Sequence, residues 1–172
     1  MATGSRYRVK FRRVRMGKTD YRARKQLLIS RKPRLVIRKS LKNTQIQIIV
    51  PQSAGDVTLV SANTQDLRKY GYTAPTGNIT SAYLVGLLLG YRAKKKGQTE
   101  AIPDMGLYHT TRGGLLYAAL KGAVDAGLEI PHDPEIFPSE DRIIGKHIDK
   151  YRKTNIAEQF GAVKQKIEVE FR

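Results

Sequence analysis

Between Arg6 and Lys42 the chain carries sixteen Lys and Arg against a single acid, Asp20. A segment with that balance cannot condense on itself, because its charges repel and it holds too little apolar surface to offset the entropy of ordering. Residues 43–172 hold the other sixteen bases and fourteen acids. The chain therefore reads as a nearly neutral body joined to a strongly cationic leader, and the leader calls for a polyanion. Any one Lys or Arg is most simply a solvated surface charge; the cluster as a whole needs a counter-charge.

Residues 1–18 alternate bases with Tyr7, Val9, Phe11 and Val14. A lone extended segment can neither bury one face nor pair its backbone, which predicts an arm that is disordered until a partner orders it. Seventeen extended residues would reach roughly 55–60 Å. Lys18-Thr19-Asp20 supplies a cap, and Ala23, Leu27 and Leu28 at helical spacing predict a short basic helix over Tyr21 to Ile29. Pro33 ends this leader.

After it the period changes. Arg34 to Arg38, Ile46 to Val50 and Asp56 to Val60 are β-branched runs separated by the turn formers Lys42-Asn43-Thr44 and Ser53-Ala54-Gly55, which predicts three sequential antiparallel strands. Thr64 to Thr76 reads as a helical turn and loop. Asn78 caps a predicted helix to Lys96, with Ile79, Tyr83, Leu84, Leu87, Leu88 and Tyr91 on a common side. Ala101 to Met105 is a fourth strand weakened by Pro103, and a second helix is expected from Thr110 or Thr111 to Gly127. Gly86, Gly90, Gly122 and the alanines around Ala119 are read as packing residues. The expected fold is α/β: three antiparallel strands, then helix, strand and helix, a mixed sheet with packed helices, a basic N-terminal arm and a C-terminal helical extension. Its expected parts are residues 1–32 (arm and short helix), 33–130 (α/β sandwich) and 131–172 (extended linker, a helix capped by Ser139, and a tail). The alternating Ile167 to Phe171 can add a strand or dock on a neighbour.

With no Cys, thiolate metal sites and cysteine catalysis are excluded and a reducing compartment suits the chain; cytosol is the expectation. The longest apolar run, Ala82 to Tyr91, is too short to span a bilayer, so no membrane partner is expected. The leader is too poor in Ser for a transit peptide. The same order of elements occurs in ribonuclease H-like nucleases, which need carboxylates converging on the sheet to hold paired metal ions. Leu35-Val36-Ile37 offers none, and Asp56, Asp66, Asp104 and Asp125 form no visible set. His109, His132 and His147 lack ligand spacing. Thr110 to Gly114 offers backbone N–H groups at a helix start but not the Lys of a nucleotide-binding loop. No catalytic, metal or cofactor site is expected.

What the leader supports is RNA backbone recognition. Its Arg majority favours bidentate phosphate contacts, and Tyr7, Phe11 and Tyr21 can stack on exposed bases. A duplex-DNA binder is a weaker reading that charge alone does not separate.

Tyr7-Arg-Val-Lys-Phe-Arg-Arg followed by Gly17-Lys-Thr-Asp-Tyr-Arg-Ala-Arg-Lys-Gln-Leu resembles the start of the archaeal and eukaryotic branch of large-subunit ribosomal protein eighteen, the 5S rRNA-binding family. Pro33-Arg-Leu-Val-Ile-Arg-Lys-Ser, Tyr83-Leu-Val-Gly-Leu-Leu-Leu and Leu120-Lys-Gly-Ala-Val-Asp-Ala-Gly-Leu agree in order. The chain is without the long C-terminal extension of eukaryotic members, which points to the archaeal form, and Thr111 precedes Arg112-Gly113-Gly114 where the bacterial pattern has Asp. The resemblance implies a structural, non-catalytic ribosomal protein. Its implied partners are 5S rRNA, 23S rRNA and neighbouring large-subunit proteins, including the other 5S rRNA-binding protein, in the central protuberance of the cytoplasmic ribosome. The RNA contacts expected in the arm are Arg6, Tyr7, Arg8, Lys10, Phe11, Arg12, Arg13, Arg15, Lys18, Tyr21, Arg22 and Arg24. Those expected at the sheet edge are Arg31, Lys32, Arg34, Arg38, Lys42, Asn43 and Thr44.

Overall fold

A computed structural model describes residues 4–171. The β-branched runs after Pro33 form β1 (Arg34–Lys39), β2 (Thr44–Gln52) and β3 (Gly55–Asn63), and Ile102–Asp104 forms the short β4. The sheet order is β3-β2-β1-β4, with β1 antiparallel to β2, β2 antiparallel to β3, and β4 parallel to β1. Pro103 is tolerated because β4 lies at the edge, where one side of the strand needs no ladder donor. This is the mixed sheet expected from the sequence.

One face of the sheet carries Leu35, Ile37, Ile46, Ile48, Val60 and Ala62, all buried under the helices. The first of these helices, α3 (Ile79–Lys95), is capped by Asn78, whose side chain accepts from the Ser81 N–H at 2.8 Å. The sequence gives α3 a single apolar side, yet Thr80 to Gly90 is buried without a break. The reason is that it is enclosed on several sides, by the sheet and by α4 (Leu115–Asp125), α5 (Glu140–Ile144) and α7 (Ile156–Glu170). Leu84, Leu87, Leu88 and Leu89 are each at most 1% exposed, and burial of each contributes about 1.5–3 kcal/mol.

The packing reading of the small residues holds. A Cβ on Gly86 would lie 2.0 Å from the Ala119 carbonyl oxygen, and one on Gly122 would lie 2.1 Å from that of Tyr83. The backbones of α3 and α4 touch there, so neither position has room for a side chain.

Four elements after Pro33 depart from expectation. Helix α4 begins at Leu115, not at Thr110 or Thr111, because Thr111 to Gly114 closes a turn in which the Gly114 N–H donates to the Thr111 carbonyl. Pro134–Ile136 interrupts the expected linker with a 3₁₀ turn capped by Asp133. The single helix after Ser139 is two helices, α5 and α6 (Lys146–Arg152), split at Gly145, whose φ of +92° no L side chain adopts cheaply. The tail is not a strand: α7 places Ile156, Phe160, Val163 and Ile167 on one buried stripe, and that helical spacing overrides the local alternation of Ile167 to Phe171. No described helix is long and apolar enough to cross a membrane.

Candidate nucleic-acid interface

The leader lies against part of the second face of the sheet, around β1 and the start of β3. Asp20 caps α2 (Tyr21–Ile29), its carboxylate accepting from the Arg22 and Ala23 N–H groups, as its place before an apolar-periodic run predicts. Before it lies α1 (Arg12–Arg15), a single turn inside the stretch expected to be without structure. Neither helix buries a residue fully; Val14, Arg24, Leu27 and Leu28 are half-buried and the rest of both helices is more open. By strand alternation Val36 belongs to this second face with Arg34 and Arg38. Val36 and Ile49 line a cleft of about 590 Å³ together with Ala23, Leu27, Arg13, Lys18 and Tyr108.

A small set of ion pairs fixes the leader to the body. Arg34 is 3% exposed. Its Nη2 donates to Asp56 Oδ2 at 2.8 Å and its Nη1 to Asp104 Oδ2 at 2.7 Å. Arg24 donates through Nη1 and Nη2 to the same Asp56 at 2.9 and 2.8 Å, a bidentate pair that ties α2 to the start of β3. Burial of Asp56 works against its charge, but the Arg24 and Arg34 guanidiniums together outweigh it and hold the carboxyl below its ordinary value. Lys32 pairs with Glu100.

Two candidate RNA contacts are corrected by this geometry. Arg34 is turned into the body: two carboxylates take its Nη groups, and its Nε, though without a partner, is buried out of reach of a phosphate. Thr44 is fully buried, and its backbone N–H donates to Thr64 Oγ1. Asn43 accepts from the Thr64 and Thr76 hydroxyls and so braces the β1–β2 turn. Arg24 is half-buried and Lys32 exposed, and both are paired.

The remaining candidates stay outward. Arg6, Arg8, Lys10, Arg12, Arg13, Arg15, Lys18, Arg22, Arg31, Arg38 and Lys42 are exposed and make no ion pair with a carboxylate among the described residues. Arg13 instead donates through Nε to Thr19 Oγ1, which ties α1 to the turn before α2. Of the aromatic candidates, Tyr7 and Phe11 are 51% and 74% exposed, and Phe11 meets Tyr21 edge-on with ring centres 5.5 Å apart. One residue of this surface escaped sequence reading. The Tyr108 hydroxyl donates to the Lys39 carbonyl at 2.8 Å and its ring closes one side of the cleft; nothing local to Leu107-Tyr108-His109 signals a neighbour 69 residues earlier.

The carboxylates a nuclease would need are partly gathered after all, since Asp56 and Asp104 share Arg34. A guanidinium occupies the space between them, so they are neutralised rather than free to bind cations. No group of three or more His, Cys, Asp or Glu among the described residues is placed to hold a metal ion.

A family model described as "Ribosomal large subunit proteins 60S L5, and 50S L18" matches residues 5–102 and 92–133. The large ribosomal subunit protein uL18 of Methanococcoides burtonii is 51% identical over 172 residues, 99% of each chain. That of Methanothrix thermoacetophila is 48% identical over 167 residues, 97% of this chain and 99% of its own. That of Caldivirga maquilingensis is 54% identical over 152 residues, 88% of this chain and 73% of its own. With a family model across most of its length and relatives matched nearly end to end, this chain belongs to the family of large-subunit ribosomal proteins that includes archaeal uL18.

Proposed function

We propose that this protein is a structural, non-catalytic constituent of the large subunit of the cytoplasmic ribosome that binds 5S rRNA through its leader and helps seat that RNA in the central protuberance. It contacts 23S rRNA and neighbouring proteins, the other 5S rRNA-binding protein among them. The observation that carries this reading is the division of labour inside the leader. Arg24 and Lys32 are spent on Asp56 and Glu100, which anchor it, and Arg34 on Asp56 and Asp104 within the sheet, while the other cations face outward without a carboxylate. A leader held to its own body by a few pairs and otherwise uncompensated is stable next to a polyanion and self-repelling without one.

Deleting residues 1–18 removes Arg6 to Lys18 and leaves α2 and the Asp56 anchor in place. The shortened protein should keep its fold and lose most of its affinity for 5S rRNA. With roughly six to ten phosphate contacts, log affinity of the full chain should fall against log salt with a slope of about −5 to −9, and the deletion should flatten it. Unchanged affinity and slope after the deletion would overturn the assignment. Incubating the protein with Mg²⁺ or Mn²⁺ and labelled structured RNA tests the non-catalytic part, which cleavage abolished by Asp56→Asn or Asp104→Asn would refute.

A further inference from the structure

The body has two runs of positive charge of its own: Arg92 to Lys96, where Arg92 pairs with Asp66 and Lys96 donates to the Leu59 carbonyl, and a longer one after Ser139. Arg142 to Lys153 holds five of the sixteen cations of residues 43–172 and one of their fourteen acids, so the rest of the body is net negative with eleven bases and thirteen acids.

Most of this longer run is α6, and α6 does nothing for the core: none of its residues is fully buried. Its one acid is diverted. Asp149 accepts from the Ile156 N–H at 2.9 Å, the Ala157 N–H at 2.9 Å and the Thr154 hydroxyl at 2.8 Å, so its charge is spent on the start of α7. Lys146 pairs with Asp141, while Arg142, Lys150, Arg152 and Lys153 make no ion pair among the described residues. Lys153 is held in the left-handed region at φ +51°, a conformation that costs free energy in a non-glycine residue and is maintained here by the turn closed around Asp149. Between these cations Tyr151 is 86% exposed, the most open aromatic ring among the described residues.

The placement matters as much as the composition. α6 packs on α5 and α7, which belong to the helical side of the sheet, whereas the leader lies across the opposite face. The two basic surfaces are thus separated by the sheet and its helical layer.

We propose that α6, with Arg142 and Lys153, is a second RNA-binding surface that takes a different segment from the one held by the leader: an unpaired strand or loop, its phosphates on Lys150, Arg152 and Lys153 and a base stacked on Tyr151. An aromatic ring set among cations fits an RNA with exposed bases better than a regular duplex, whose bases are stacked away. The inference rests on the RNA-binding reading above and deepens it, assigning a contact with a second RNA segment to α6.

The full chain is loaded with saturating 5S rRNA and titrated with a labelled unpaired RNA of about twelve nucleotides, within the footprint of such surfaces. The triple variant Lys150→Ala, Tyr151→Ala, Arg152→Ala is titrated alongside; all three side chains are exposed, so folding is not at stake. The loaded wild type should capture the second RNA, the variant should bind it about tenfold or more weakly, and 5S affinity should be the same for both. Equal capture by variant and wild type overturns the proposal, as does equal loss of 5S affinity, which would make the two surfaces one. Poly-glutamate held as tightly as the RNA also overturns it, since the surface would then be one for acidic protein. If 5S rRNA fails to load, the leader assignment fails, and titrating the unloaded full chain against its variant still decides the role of α6.

Discussion

Arg34 at the start of β1 and Asp56 at the start of β3 are joined at 2.8 Å, and the same carboxylate holds Arg24 of the leader. Asp56 is therefore the point at which the sheet fixes the leader. Asp56→Asn should release α2 and leave the buried Arg34 with Asp104 alone. We expect the unfolding free energy to fall by about 1–3 kcal/mol, the cost of unpairing a partly buried charged group, and new protease cuts to appear within residues 12–32. An unchanged digestion pattern would mean that the leader is held by its apolar contacts instead.

The same carboxylate sets an acid limit. The folded pKa of Asp56 lies below its unfolded value, so its contribution is complete above that unfolded value, about 3.9, and is lost as pH falls through the folded one. The leader should remain docked from neutral pH down to about 4 and detach below it, before the body unfolds. Fluorescence of a dye on residue 26, followed against the near-ultraviolet signal of the buried tyrosines, reads the two events separately. Coincident loss of both signals would contradict this order.

Glycine substitutions in two helices should have opposite signs. Gly122→Ala drives a methyl toward the Tyr83 carbonyl oxygen, 2.1 Å away, and must separate α3 from α4; we expect a loss of about 3 kcal/mol or more. Gly161→Ala meets nothing within 4 Å inside α7 and should stabilise by about 0.5–1 kcal/mol through helix propensity. Denaturant midpoints of both variants check the contrast.

What could be read from the sequence divides along local lines. Asp20 and Asn78 cap the helices assigned to them because capping involves only the next few N–H groups. The three antiparallel strands were legible because each is bounded by turn formers. The tail was misread because Ile167 to Phe171 alternates over five residues, while the deciding pattern runs from Ile156 to Ile167 and becomes visible only over twelve. Arg34 and Thr44 were misread for another reason. Both sit beside exposed cations in the chain, and only pairing with Asp104 or burial near Thr64 shows that they face inward.

The α7 stripe gives a prediction of its own. Ile167 is fully buried, and α7 is tied down further by Gln159, whose Oε1 accepts from the Thr73 and Ala74 N–H groups. Ile167→Ala should cost about 2–5 kcal/mol, the range for emptying a core position. Val169→Ala, at a site 72% exposed on the same helix, should stay within about 0.5 kcal/mol of wild type. A strand-like tail would instead make the two equally mild.

Arg34 and Arg38 lie on the same strand face four residues apart, yet they should behave oppositely. Arg34→Ala leaves Asp104 without its cation and Asp56 with Arg24 alone, at sites where solvent reaches little of Asp104. The protein should lose about 3–5 kcal/mol, as when one partner of a buried pair is removed. Arg38 is exposed and makes no ion pair among the described residues, so Arg38→Ala should leave stability unchanged and flatten the salt slope of RNA binding by about one phosphate, or 0.7–0.9. Measuring both quantities on both variants separates the anchor from the interface. If Arg38→Ala unfolds the protein, or Arg34→Ala alters only RNA affinity, the two roles have been assigned the wrong way round.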